Sequence, residues 1–439
     1  MGGVGRAAPW RDLQHDGTSG AVTGRGLLLV AIGTRGDVEP FARLGSALVG
    51  RGHRVSAAVL ADGEARMRAA GVEATVVGPP SDRAMWSTSA LVRTLAHANP
   101  GLMYLQMRAR LARIAPTIAA GLHPLLAGTD AVLVGLAAAG LVPGLRAAGT
   151  RARLVLQAPV LPGARSTWSS TWASRLPVPV ETRRQHLLWS MTLGLSAALA
   201  REVGAGPPPG VGASGHPPAP DQAPSPPPGG QTPLLATSRV LDPAPGPWVT
   251  QTGWWADPGP VRPLPDDVDR YLRRHPGAVL LALGSLPGRD PDARAAALAA
   301  IASRVGRPAV VQVGGARIGR VPGGLVVGDV DHRALLPRVA AVVHHGGSGT
   351  THAATAAGVP QVVVPHLGDQ AHYARRVAGA GLGPAPLPRA VATPARVAAR
   401  LRTALDDPRH AQRAGAAVAQ MLAEDGLATA VRLVEELVA

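Results

Sequence analysis

Between residues 342 and 370 the chain reads VVHHGGSGTTHAATAAGVPQVVVPHLGDQ, and here side chains able to do chemistry are most concentrated. An apolar run ends in His344 and His345, and Gly346, Gly347 and Gly349 follow with Ser348 among them. A helix opened by Thr350 and Thr351 would present unpaired backbone N–H groups at its positive end. Glycines before it let a ligand come close to the backbone, so the turn has the makings of a phosphate cradle. His345 adds a donor to that cradle and Thr350 a hydroxyl. A second apolar run ends in Asp369 and Gln370, a carboxylate beside an amide. These two residues also suit the N-terminus of a helix over DQAHYARRVA.

Another candidate lies near the start of the chain. In GTRGDVEPF, Asp37 follows an apolar run on a glycine turn, where it could cap a helix starting at Val38 or face a ligand. Two DVD triplets raise the question of a metal. Asp267 and Asp269 fall on a polar helical stretch and read as solvated, and Asp331 reads as the N-cap of HRALLPRVA.

The elements that must carry these residues follow one grammar. GLLLVAIG (26–33) is a continuous apolar run of strand length, followed by helical spacing over GDVEPFARLGSALVGRGH. RVSAAVL, GEARMRAAG, DAVLVGL (130–136) and ARLVLQAP (152–159) continue the alternation, which predicts a doubly wound parallel sheet. A second series has strands expected at 278–285, 308–315, 324–330, 340–345 and 360–366, and ends with a helix over LATAVRLVEELVA. Between the series, 204–230 is a proline-glycine stretch unable to form helix or sheet. Residues 79–125 and 160–200 look less regular and hold Trp86, Trp168, Trp172 and Trp189. Two α/β units joined by a linker should hold ligands at the carboxyl ends of their strands, in the crevice between them.

Composition narrows the function. At 439 residues and 46% hydrophobic content the chain can bury two cores, built from small aliphatic side chains because aromatics make up only 3%. The formal charge of +16 is carried by arginine alone. The arginines are scattered rather than interleaved with aromatics, which argues against nucleic acid as a partner. With no cysteine, disulfides, thiolate metal sites and thiol nucleophiles are excluded. The first two dozen residues lack the apolar core of a signal peptide, and the run at 131–149 is broken by Gly135, Gly140 and Pro143. A soluble, cytoplasmic protein with no stable membrane insertion is the expectation.

The pattern H-x-G-x-G-T, then G-V-P, P and D-Q, resembles the donor-site signature of the GT-B nucleotide-sugar glycosyltransferases. More narrowly, it is similar to the sterol and antibiotic glucosyltransferase branch of family 1. GTRGDVEPFARLGSALVGRGHRV (33–55), TGWW (252–255) and LALGS (281–285) resemble other motifs of that branch. The resemblance implies a GT-B fold, two Rossmann-like parallel-sheet domains facing across a cleft. Residues 25–203 would bind the acceptor and 232–439 the nucleotide sugar, with an extension at 1–24 and a linker at 204–231.

It further implies an inverting hexosyl transfer from a UDP- or dTDP-sugar to a hydroxyl of an apolar small molecule, a natural-product aglycone rather than a sterol. Ser285, His345, Gly347, Ser348, Gly349 and Thr350 would hold the diphosphate, and Asp369 and Gln370 the sugar hydroxyls. Asp37 stands where plant relatives have a catalytic histidine, so it would be the base that frees the acceptor oxygen of its proton. Thr34 and Arg35 would either face the diphosphate or shape the turn. Helix-end amides and His345 would stand in for a metal, and no metal or other cofactor is expected. Plant relatives stack the base on a tryptophan and bind the ribose with a glutamate, where this chain has Asp329 and Ala353. Backbone groups around Val330 are the place left for the base. Rival expectations are a nucleotide-sugar epimerase of the same fold, and a silent partner that activates another transferase. The oligomeric state is not legible.

Overall fold

The run GLLLVA forms β1 (Gly26–Ala31), buried at every position, as a strand must be when both faces of its sheet are covered. The computed structural model describes residues 24–85, 100–158, 197–204, 232–243, 245–246, 248–283, 291–313, 318–366 and 369–439. After β1 come α1 (Arg35–Gly50), β2 (Arg54–Leu60), α2 (Glu64–Ala69), β3 (Glu73–Gly78), α3 (Ser81–Met85) and α4 (Pro100–Leu126). Next are β4 (Ala131–Gly135), α5 (Leu141–Ala147), β5 (Arg151–Leu156) and α6 (Ala197–Glu202). Two short strands, β6 (Leu234–Leu235) and β7 (Thr250–Gln251), complete a seven-stranded sheet ordered β3-β2-β1-β4-β5-β6-β7. Every pairing in it is parallel.

The second series runs α7 (Asp266–Arg274), β8 (Val279–Ala282), α8 (Pro291–Ser303), β9 (Ala309–Gln312), β10 (Gly319–Val321) and β11 (Gly324–Val327). It continues with α9 (His332–Leu335), β12 (Ala341–His344), α10 (Ser348–Ala356), β13 (Gln361–Val363) and α11 (Gln370–Gly379). Its six-stranded sheet has the order β10-β11-β9-β8-β12-β13 and is parallel except where β10 meets β11. Three helices close the chain, α12 (Pro394–Asp406), α13 (Pro408–Ala423) and α14 (Gly426–Val438). In both sheets the strand order reverses at the centre, between β1 and β4 and between β8 and β12. Such switch points open crevices outside the carboxyl ends of parallel strands.

Several expectations need adjusting. The stretch at 79–125, expected to be irregular, contains α4, a 27-residue helix with Pro116 and Pro124 inside it. The strand β10 adds a sixth member to a sheet expected to have five. The first sheet does not stop before residue 232, because β6 and β7 pair on its edge. The tryptophans Trp86, Trp168, Trp172 and Trp189 lie outside the described residues, as do 1–23 and 205–231. Among the described residues, no helix is long and apolar enough to cross a membrane.

The chain also returns to the first sheet at its end. Val431, Val434 and Val438 of α14 join the core formed by Leu27, Leu29, Phe41 and Leu44. Arg51 pairs with Glu435 at 2.9 Å over that contact. Arg153, almost fully buried, binds the carbonyls of Thr232 (2.9 Å) and Leu433 (3.3 Å) and the hydroxyl of Thr250 (3.3 Å). Burial brings the pKa of its guanidinium down to about 10.

Between the sheets, consecutive indoles point into different cores, as neighbours on an extended chain do. Trp255 packs with β1 and α1 and donates to the Thr252 hydroxyl at 2.8 Å. Trp254 joins Val268, Leu280 and Val330 in the core of the second sheet and stacks on His352, with centroids 5.9 Å apart. Replacing a buried tryptophan by alanine removes its transfer free energy and leaves a cavity. Trp255→Ala should therefore cost about 3–5 kcal/mol in urea unfolding, with Trp255→Phe costing much less. A loss no larger than that of a surface substitution, about 0.5 kcal/mol, would contradict this packing.

Candidate active site

The two histidines at the end of β12 do opposite jobs. His344 is fully buried, with Nε2 against Gln361 Oε1 at 3.0 Å and Nδ1 accepting the Gly346 N–H at 3.1 Å. Gln361 passes the chain of bonds to Thr355 at 2.9 Å and Thr355 to the Thr351 carbonyl at 2.9 Å. Burial, helped by the neighbouring His345, takes the His344 pKa down to about 3, so this imidazole is a neutral strut that fixes the turn. The His345 ring bonds the carbonyl of Ala282 at the end of β8, while its Nδ1 is buried with no hydrogen-bond partner. Burial lowers this pKa also.

Glycine is required around that ring. Gly346 has φ +87°, and a Cβ there would stand 2.7 Å from Val363 Cγ1 and 2.9 Å from the Gln370 carbonyl. A Cβ on Gly347 would stand 2.4 Å from His345 Nε2. The helix α10 begins at Ser348 with Gly347 as its N-cap, two residues before the expected opening at Thr350. The N–H groups of Ser348, Gly349 and Thr350 thus belong to the first turn, and Gly347 has no side chain to cap them. The geometry suits an anion in the place of a cap.

Ser348 corrects one part of the expectation. Its hydroxyl turns away from the first turn, toward the carbonyl of Gln157 (3.4 Å), the Tyr373 hydroxyl (3.1 Å) and His352 Nδ1 (3.3 Å). Only its backbone N–H remains for the anion seat. The same Gln157 carbonyl accepts from Thr237 at 3.0 Å and from the Tyr373 hydroxyl. Nothing in the sequence signalled this knot, since its members come from distant segments. Ser285 lies outside the described residues.

Asp37 and Asp369 stand at helix starts on opposite sheets. Asp37 is not the cap of a helix starting at Val38, because α1 begins at Arg35 and Thr34 is its N-cap. It is the third residue of the helix and closes a capping box, accepting from the Thr34 N–H (2.8 Å) and hydroxyl (3.0 Å) on Oδ2. A Cβ on Gly33 would collide with that carboxylate at 2.3 Å, which explains the glycine before it. Burial raises the Asp37 pKa, with the two Thr34 bonds opposing the rise. Asp369 is the N-cap of α11, yet its side chain makes no cap hydrogen bond. Burial first, and the charge of Asp37 second, push its pKa up to about 7. Their charges are therefore within reach of each other. Gln370 follows, with Oε1 accepting the His366 N–H at 2.8 Å.

The rim beyond β11 holds Val330, whose backbone is the expected nucleobase contact. Val330 and Ala353 both have their side chains in the core of the second sheet, so around Val330 only backbone could face a ligand. His332, which the sequence reading passed over, sits at 2.8 Å from Gln312 Oε1, and burial lowers its pKa to about 4. Asp329 pairs with Arg35 of α1 at 2.8 Å and with Arg66 of α2 at 3.5 Å. Asp331 caps α9 as expected, accepting from the Arg333 N–H at 2.9 Å. In the other triplet Asp267 pairs with Arg270, and Asp269 with Arg273 and Arg338. Arginines thus occupy the carboxylates of both triplets.

Residues 304–437 match the family model described as erythromycin biosynthesis protein CIII-like, C-terminal domain. The vancomycin aglycone glucosyltransferase of Amycolatopsis orientalis is 41% identical over 191 residues, 42% of this chain and 45% of that protein. The O-mycaminosyltylonolide 6-deoxyallosyltransferase of Streptomyces fradiae is 38% identical over 209 residues, 46% of this chain and 49% of that protein. The matched stretch therefore spans about half the length of these curated relatives. Among solved structures, the glycosyltransferase VinC in complex with dTDP shares 22% identity and the same fold. It aligns with a TM-score of 0.61 over 94% of this chain and 99% of that one. The paired parallel sheets and this likeness show the two-domain fold of the GT-B glycosyltransferases, and the matched parts of the chain are similar in sequence to antibiotic and sterol glycosyltransferases.

Proposed function

We propose that this protein transfers a hexose, with inversion and without a metal, from a UDP- or dTDP-sugar to a hydroxyl of an apolar small molecule. The observation that carries the reading is the uncapped, glycine-entered start of α10 beside the buried His345, with the N-terminus of α11 packed against its turn. A nucleoside diphosphate would lie on the Ser348, Gly349 and Thr350 N–H groups, with the unsatisfied Nδ1 of His345 as a further contact. Asp369 and Gln370 would hold sugar hydroxyls.

Asp37 Oδ1, the oxygen not bonded to Thr34, would take the proton of the acceptor hydroxyl. The acceptor oxygen then forms its bond to the anomeric carbon as the bond from that carbon to the phosphate oxygen breaks. The electron pair of the broken bond leaves with the nucleoside diphosphate, whose charge the helix terminus offsets. The relatives named for a glycopeptide aglycone and a macrolide support a natural-product acceptor of similar kind. Arginine pairing at both acidic triplets supports a leaving group stabilised by the protein itself.

Three outcomes test this. Asp37→Asn should lower kcat by about 10²–10⁴-fold in a mass-detected screen with UDP-glucose and a dTDP-deoxysugar, while the calorimetric Kd for UDP or dTDP stays the same. Near-normal turnover in that variant refutes the base. Dialysis against EDTA should leave the rate unchanged, and a rate restored only by divalent cation counts against helix-end stabilisation.

The third concerns pH. In the folded protein Asp369 holds its proton up to about 7, whereas in the unfolded chain it ionises near the ordinary value of 3.8. This group therefore favours the folded state at low pH, and that contribution is lost as pH rises through about 7. Asp369→Asn should melt above the wild type at pH 8, and the gap should close as pH falls toward 4. A melting difference independent of pH would mean the carboxyl is not held protonated.

A further inference from the structure

A polar bridge crosses the mouth of the crevice, beyond the residues assigned a part in the transfer above. Asp329 follows β11 of the second sheet, while Arg35 and Arg66 belong to helices on the first. Arg35 Nη1 lies 2.8 Å from Asp329 Oδ1, and Arg66 Nη2 lies 3.5 Å from Asp329 Oδ2. Glu39 of α1 pairs with both arginines from behind, with Arg35 at 3.8 Å and with Arg66 more closely. The side chains of Arg35 and Asp329 are 55% and 44% exposed, so the bridge is open to water and ions.

Three features give this bridge a role. An isolated exposed pair contributes little to stability, but here one carboxylate joins two cations from a different sheet. Arg35 stands within the first turn of α1, two residues before Asp37, so an arginine next to the proposed base in sequence is occupied by Asp329. Lastly, a carboxylate at the rim opposes an incoming diphosphate, and its pairing with Arg35 and Arg66 offsets that repulsion.

We propose that Asp329 controls entry of the nucleotide: it latches the two sheets across the crevice through Arg35 and Arg66, and a diphosphate binds by taking Arg35 from it. This rests on the donor reading given above, and it adds Arg35 to the groups that meet the phosphates. Exchange of one anionic partner for another leaves the arginine paired in both states. Loss of the latch frees the rim to move.

The test uses the full chain and binding of UDP, dTDP and inorganic pyrophosphate, followed by calorimetry at low and high salt. Asp329→Asn should bind all three more tightly, by about two- to fivefold, the worth of a weak exposed pair. The gain should shrink in high salt, where such pairs are screened. Arg35→Gln should weaken binding, and in Arg35→Gln/Asp329→Asn the gain should vanish because the exchanged cation is missing. Small-angle scattering of the ligand-free chain should show a larger radius of gyration for Asp329→Asn than for wild type at low salt. Unchanged or weaker binding by Asp329→Asn, or a gain that persists in the double variant, overturns the exchange. An unchanged radius of gyration overturns the latch. Should wild type bind none of the three ligands, the donor reading itself falls together with the exchange, an outcome distinct from firm wild-type binding without a gain in the variant.

Discussion

The arrangement of the crevice depends on one backbone oxygen, the carbonyl of Gln157 just past β5. It accepts from Thr237 of the first unit and from Tyr373 of the second, and the Ser348 hydroxyl, with one proton to give, points at both the Tyr373 oxygen and the same carbonyl. Tyr373 is fully buried on α11, one turn beyond Asp369, and Ser348 opens α10. A buried carbonyl left unpaired is costly, so these hydroxyls have few other places to go. The two helices that frame the anion seat are thereby tied to the end of β5. Behind the knot, His352 accepts the Ser238 N–H at 3.1 Å and sits against the Ser348 carbonyl at 2.7 Å, with Trp254 stacked on it. Burial keeps that imidazole neutral, with its pKa near 4.

Neutral imidazoles are a theme of the site with an electrostatic reason. His344, His345 and His352 are all held below the ordinary imidazole range by burial. Positive potential at the start of α10 therefore comes from backbone dipoles and not from histidine charge, and it persists at any pH at which the fold does. The formal charge sits instead on arginines, which stay protonated when half buried. Arg35 and Arg66 bring it to the rim, and Arg43 bonds the Trp255 carbonyl at 2.8 Å behind them.

Much of this was legible in the sequence where a physical signal was local. Runs such as GLLLVA and AVLVG stand out because both faces of their sheet are covered, which leaves no polar residue to interrupt them. His345, the glycines and Asp369 could be placed because a strand, a tight turn and a helix fix where an intervening side chain must point. What escaped was set by distance or by weak periodicity. Strands of two residues such as β6 and β7 carry no pattern, and they pair with β5 only because the chain returns after a long excursion. The helix α4 has prolines at 116 and 124 that read as breaks, yet it continues through both. Ser348 reads as a phosphate ligand from its place in the turn, and only the approach of Gln157 and Tyr373 from elsewhere explains why its hydroxyl faces the other way.

Asp37 shows why cap and base need not be alternatives. A capping box keeps one carboxylate oxygen on Thr34, which holds the side chain still and favours its charged form. Burial at the crevice acts the other way and outweighs those bonds, so the group is more basic than a carboxylate in water. A base must be positioned before it can be strong, and a helix terminus supplies the position from residues next to it in sequence. The neighbouring Asp369 is raised further by the charge of Asp37. With both groups facing one crevice, the charge of Asp37 disfavours ionisation of Asp369 and helps it keep its proton. That coupling could not be seen in either motif alone, because it exists only once two sheets with the same switch-point geometry are set facing each other.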